Sequence, residues 1–348
     1  AGRRRFERLP VLDRVEALTL PALTDYRHPV GEWFAEGARG REWANVRSLA
    51  LPYYLEAPTL TRLAALPFWG RLRGLSVSLV RQSAAVLELM RTRTPSELRA
   101  LRLVGSGGAD ELAGAEPTFE RLADTPLERL TLQSTRPAAL PLRPLFAPAA
   151  RCAFRELAFI GGFGADHARL VAGAPNAERL ERLTIGSGAL DDASAGALFA
   201  PDSFRSLTHL SLYVRDMSDA GMTAMARCTR LAPRSLQLTA ANLSEAALAK
   251  FLDAPVCRNL TYFAFTATAS QAARPLTFTA ALARRLAGLP HLAAVHVGAP
   301  KVEREAREVI RDGVRIAWAN VRSYRDGSGA FGPWDGETPV GGDDEFAV

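Results

Sequence analysis

Apolar positions along this chain fall into one short pattern, x-x-L-x-L with a further apolar residue, or proline in one copy, three places before the first leucine. It reads VEALTL at 15–20, VRSLAL at 46–51, LRGLSV at 72–77, LRALRL at 98–103, LERLTL at 127–132 and FRELAF at 154–159. It continues as LERLTI at 180–185, LTHLSL at 207–212, PRSLQL at 233–238, LTYFAF at 260–265 and LAAVHV at 292–297. The central apolar residues are Leu18, Leu49, Leu75, Leu101, Leu130, Leu157, Leu183, Leu210, Leu236, Phe263 and Val295, and eight consecutive intervals between them lie between 26 and 29 residues. Such regularity marks an internal repeat rather than a set of unrelated strands.

Within each copy the alternation has period two, so the anchors of L-x-L point to one side and the residues between them to the other. That is a short strand with one buried face. A turn rich in Gly, Ser or Pro follows, then a stretch with helical spacing and an N-cap: Ser218 before DAGMTAMARC, Ser244 before EAALAKFLDAP, Asp191 or Asp192 before ASAGALFA. One strand and one helix cannot bury their apolar faces alone. Stacked neighbours can, which predicts an α/β solenoid with a parallel sheet on the concave side and helices on the convex side.

These residues resemble the leucine-rich repeat, in the bacterial-type form of the ribonuclease-inhibitor-like or cysteine-containing subclass. The copy LTHLSLYVRDMSDAGMTAMARCTRL at 207–231 is the nearest to that pattern, with Cys228 at the junction from helix to strand; Cys152 and Cys257 hold the same junction elsewhere. The resemblance implies a horseshoe in which these thiols are small core residues. One departure stands out. The family places Asn eight residues after the apolar residue that opens each copy, where this chain has Ser106, Thr135, Gly162, Gly188, Arg215 and Thr268, with Asn242 one place out of phase. Irregular, more mobile turns are expected.

The ends break the pattern. Residues 1–44, with Trp33 and Trp43, read as an N-terminal cap with one atypical repeat, and 45–321 as the repeats, closed by a charged helix at 301–313 and a last strand at 314–319. Residues 322–348 read as a flexible Gly, Pro and acid-rich tail without periodicity, for which disorder is the first expectation; its Phe331, Trp334 and Phe346 leave docking on the solenoid or use as a short recognition motif as the alternatives.

Composition narrows the function. The 348 residues are 48% hydrophobic, enough for a large core, with no apolar run long enough to span a bilayer and no apolar segment after the charged AGRRRFERLP. Three unpaired, widely spaced cysteines fit a reducing cytoplasm. The net charge of +6 is carried almost wholly by arginine, which a GC-rich genome would also produce. The glycine clusters at 105–108, 161–164 and 186–188 resemble phosphate loops, yet they recur in phase with the repeat and lack the dinucleotide fingerprint. His28, His167, His209, His291 and His296 show no ligand spacing, so neither metal nor cofactor is expected. No nucleophile motif appears, and a non-catalytic protein is expected.

The candidate binding face is the concave side of the sheet. Its candidate residues are Arg47, Arg73, Arg99, Arg102, Arg129, Arg155, Arg182, His209, Tyr213, Arg234 and Tyr262, with Glu16, Glu128, Glu156 and Glu181 among them. Arginine mixed with tyrosine is enriched at binding hot spots, which points to a protein-interaction scaffold for an acidic protein or peptide. Neutralisation of Arg by neighbouring Glu is the plainer reading. A nucleic-acid-binding solenoid is the alternative; aromatics that do not interleave with the basic stretch, and the near absence of lysine, weigh against it.

Overall fold

The computed structural model describes residues 16–19, 45–51, 57–80, 82–105, 112, 114–133, 141–186, 190–200, 203–213, 216–240, 243–267, 276–299, 301–309 and 315–320. The chain forms two compact units, Ala1–Ala153 with Asp335–Val348, and Phe154–Trp334. The expected boundary at 44/45 lies where description resumes after residues 20–44, and that at 321/322 lies outside the described residues.

In the first unit, strands β1 (Ala17–Thr19), β2 (Ser48–Ala50), β3 (Gly74–Ser78), β4 (Ala100–Val104) and β5 (Arg129–Gln133) pair in parallel and in chain order. The register aligns Leu18, Leu49, Leu75, Leu101 and Leu130, so the repeat seen in the sequence is the register of the sheet. The last four of these are buried. Helices α1 (Ala57–Ala64), α2 (Ser83–Arg93) and α3 (Glu116–Ala123) connect the strands and bury Leu60, Leu63, Val86, Met90, Phe119 and Leu122. After β5 the pattern changes. Pro141, Pro144 and Pro148 each lack the N–H that a continuing α-helix uses as donor and press a ring against the preceding turn, and a 3-10 turn, Arg143–Phe146, takes its place.

In the second unit, β6 (Glu156–Ile160), β7 (Arg182–Gly186), β8 (His209–Tyr213), β9 (Ser235–Ala240) and β10 (Tyr262–Ala267) repeat the arrangement. A small side pair is made by β11 (Thr277–Phe278) and β13 (Lys301–Val302), while β12 (Ala294–Ala299) and β14 (Arg315–Asn320) extend the main sheet from β10. The anchors Leu157, Leu183, Leu210, Leu236, Phe263, Val295 and Ile316 are in register. Helices α4 (Ala165–Gly173), α5 (Asp192–Leu198), α6 (Asp219–Arg227), α7 (Glu245–Leu252) and α8 (Ala280–Ala287) lie between strands.

The expected helix at 301–313 is shorter among the described residues. Lys301 and Val302 pair with Thr277 and Phe278 as strand, and the helix α9 runs Arg304–Glu308. Glu303 caps the turn with its backbone in extended geometry, and its carboxylate accepts the N–H of Ala280 at 2.9 Å. The closing strand falls where the apolar run at 314–319 placed it.

Helix starts are bound from one repeat to the next. Asp191 is the N-cap of α5, accepting the N–H of Ser194 at 2.8 Å, while Asp192 beside it turns to the following helix. Ser218 and Ser244 cap α6 and α7 as the sequence predicts. Asp219 in turn accepts the N–H and hydroxyl of Ser244 at 2.8 and 2.6 Å, and Glu245 accepts the hydroxyl of Thr279 at 2.5 Å. Cys152, Cys228 and Cys257 are buried, each thiol pointing at a backbone carbonyl. Burial pushes the Cys152 thiol up to about 11 and that of Cys257 to about 12, which suits small core residues rather than nucleophiles.

The GGFG cluster is a turn. Gly161 and Gly162 sit at φ 91° and 69°, a left-handed geometry that suits glycine, and His167 Nδ1 accepts the N–H of Gly164 at 3.2 Å to close the start of α4. Of the other positions where the family has Asn, Ser106, Thr135, Gly188, Arg215, Thr268 and the neighbouring Asn242 lie outside the described residues.

Candidate functional site

Opposite the anchors, each sheet presents an open face. In the second unit its rows run across strands: Glu156, Arg182, His209, Ser235, Tyr262 and Ala294 in the first, and Ala158, Thr184, Ser211, Gln237, Ala264 and His296 in the second. A third row, at the ends of the strands, holds Ile160, Gly186, Tyr213, Thr239 and Thr266.

A further row precedes the strands, and one hydrogen-bond motif creates it. The carbonyl of Arg47 accepts the N–H groups of both Arg73 and Gly74, at 2.6 and 2.9 Å; that of Arg73 accepts Arg99 and Ala100, both at 2.8 Å. The same double acceptance recurs at Arg99, Arg155, Glu181, Thr208, Arg234 and Thr261. Two consecutive residues thus oppose one on the preceding strand, as in a bulge, and strict alternation stops there. Simple parity would turn the residue two places before each anchor inward. Instead Arg73, Arg99, Arg155 and Arg234 are exposed, with Arg47 half-buried.

The eleven candidates are therefore divided. Arg47, Arg73, Arg99, Arg155 and Arg234 stand in the row before the strands; Arg129, Arg182, His209 and Tyr262 in the first row of the open face; Arg102 in the second; Tyr213 in the third. Those up to Arg129 belong to the first unit and those from Arg155 to the second.

Four of the arginines are matched with glutamates. Arg73 Nε lies 3.4 Å from Glu97, Arg99 pairs with Glu128, Arg155 Nε lies 3.3 Å from Glu181, and Arg182 Nε 3.4 Å from Glu156. These pairs are part-exposed, so each adds at most about 1 kcal/mol of stability, but each cancels a charge. Arg102 reaches the amide oxygen of Gln133 at 3.5 Å. Among the described residues no carboxylate pairs with Arg234.

The second unit gathers the aromatic candidates. Tyr213 donates its hydroxyl to Gln237 Oε1 at 2.8 Å, and burial pushes the phenols of Tyr213 and Tyr262 up, with Tyr213 adding to the effect on Tyr262. His209 Nδ1 lies 2.8 Å from the Thr208 hydroxyl. Burial holds the His209 pKa below its ordinary value, aided by Arg182 and Arg234 and opposed by Glu181; burial alone does the same to His296. The face is thus polar, aromatic and neutral around His209, with Arg234 at its margin.

Of the third row, which lies one step beyond the six-residue pattern, the sequence reading includes Tyr213 but not Ile160. It is the one exposed large hydrophobic residue among the described residues, beside Gly186, where a Cβ would meet its side chain at 3.5 Å. Extending the alternation one step beyond each second anchor would have found it.

Among the described residues no three His, Cys, Asp or Glu side chains gather closely enough to hold a metal, and no helix is long and apolar enough to cross a membrane. No family model matches the sequence, and no curated protein does. Among solved structures, a chain of the yeast Rad7 and Elc1 complex matches with TM-score 0.60 and 18% identity, over 86% of this chain and 73% of that one. An internalin from Listeria monocytogenes matches with TM-score 0.46 and 12% identity, over 92% and 94%. The first likeness concerns fold alone, and with the repeat and register it identifies the fold as a leucine-rich-repeat solenoid.

Proposed function

We propose that this protein is a non-catalytic scaffold that takes another protein or peptide, with acidic character, on the open face of its sheet. The observation that carries the reading is the half-buried set His209, Tyr213, Gln237 and Tyr262, held on one rigid face with Tyr213 and Gln237 hydrogen-bonded to each other. Aromatic side chains fixed before binding lose little entropy when a partner arrives. The acidic preference rests on Arg234, which has no acidic partner among the described residues. Four Arg–Glu pairs favour a protein over a nucleic acid, since a phosphate track needs cations that are not already matched. The similar chain of Rad7 and Elc1 comes from a complex of two proteins, which agrees with this class of function.

The test is affinity purification with the intact chain, a Tyr213→Ala/Tyr262→Ala variant and an Arg121→Glu control on α3, with melting curves for all three. The reading expects partners kept by the control and lost by the tyrosine variant at comparable stability. An identical partner set for all three would refute it.

A further inference from the structure

All 43 basic residues precede position 326, together with 31 of the 37 acidic ones, the other six being Asp326, Asp335, Glu337, Asp343, Asp344 and Glu345. Residues 1–325 thus carry +12 and residues 326–348 carry −6. The same acidic segment contains Phe331, Trp334 and Phe346. It lies outside the described residues, but the strand it follows does not: β14 ends at Asn320 and belongs to the second unit's sheet.

Reach is ample. From β14 through β12, β10 and β9 to β8 is four strand spacings, about 19 Å. The fourteen residues from Asn320 to Trp334 can span up to about 48 Å. On the way lie the half-buried rings of Tyr262 and Tyr213, and at their margin the exposed guanidinium of Arg234. Ile160 and the side-chain-free position at Gly186 continue the apolar strip beyond Tyr213.

We propose that residues 326–334, which belong to the same unit as the face, are its intramolecular occupant, with Phe331 and Trp334 against Tyr213 and Tyr262 and the Asp326 carboxylate toward Arg234. Aromatic rings bury their faces on the tyrosines, and the opposite charges hold the segment in place. The segment then competes with any external partner for the same surface. A partner must displace it, so apparent affinity falls by the fraction of chains in which the face is free.

The experiment uses the full chain carrying Ser328→Cys. The three native thiols are buried, so a maleimide fluorophore reacts at position 328. Docking gives a high anisotropy that is independent of protein concentration. It falls toward that of an unrestrained segment on raising salt from about 0.05 to about 0.5 M. Arg234→Glu and Tyr262→Ser, each checked by melting curve, lower the docked-to-free ratio about tenfold. An unrestrained anisotropy in the intact chain would overturn the proposal. So would a restrained one that neither substitution moves, or one that depends on protein concentration, which would mean docking on a second copy. No external partner enters this test, so its failure leaves the partner reading of the face untouched.

Discussion

The carboxylate of Asp192, on the first turn of α5, accepts the backbone N–H of Ser218 at 2.8 Å and its hydroxyl at 2.6 Å, tying one helix to the N-cap of the next. A third bond, from the N–H of Gly221 at 2.9 Å, is the second that Oδ1 accepts. Burial opposes the charge, but the bonds from the Ser218 side chain and backbone and from Gly221 outweigh it and hold the carboxyl below its ordinary 3.8. Asp192→Ala is expected to cost about 1–2 kcal/mol, read as a lower urea midpoint at pH 7. Because the folded pKa is the lower one, the contribution is complete above the unfolded value and fades as pH falls through it toward the folded value. The gap between wild type and variant should therefore narrow below about pH 4.

Gly221 adjoins the same carboxylate. Replacing a helical glycine with alanine ordinarily gains about 0.5–1 kcal/mol. Here a Cβ would stand 2.4 Å from Met217 Cγ and 2.8 Å from Asp192 Oδ1, so the substitution must displace either the side chain or the bond. Gly221→Ala is expected to lower the melting temperature. The matching change at Gly196, where nothing lies within 4 Å, should raise it.

Cys152, Cys228 and Cys257 should resist alkylation at pH 8 in the folded protein and react together on unfolding. Their exposures are 3%, 1% and 0%, and burial pushes the thiols of Cys152 and Cys257 to about 11 and about 12. Rapid labelling of any one by a disulfide reagent, without denaturant, would contradict this placement.

His209 and His296 are both held below their ordinary 6.5, chiefly by burial. Folding therefore favours their neutral form, and stability is complete above the unfolded pKa and declines as pH falls through it. Melting temperature should drop between about pH 7.5 and pH 5.5, and His209→Gln/His296→Gln should flatten that part of the curve.

The period of the repeat was legible because one buried anchor must recur wherever a strand stacks on its neighbour, and Leu49, Leu75 and Leu101 do so in exact register. Caps at Ser218 and Ser244 were legible because small hydroxylated residues before helical spacing have few other uses. The choice between Asp191 and Asp192 was not, since it depends on the next helix offering its own N–H groups. Nor was the helix at 301–313 separable from Lys301 and Val302, whose strand geometry comes from Thr277 and Phe278, more than twenty residues earlier.

The sequence by itself determined the stacking unit, its length, which side of each strand is buried and which residue types meet solvent, because these follow from local periodicity and the need to hide apolar surface. Only the tertiary structure decided how charges are matched and which side chains share a row. Arg155 meets Glu181 and Arg182 meets Glu156 because the register of β6 on β7 sets these residues side by side. Such pairings depend on distances between residues about a repeat apart, which no local pattern specifies.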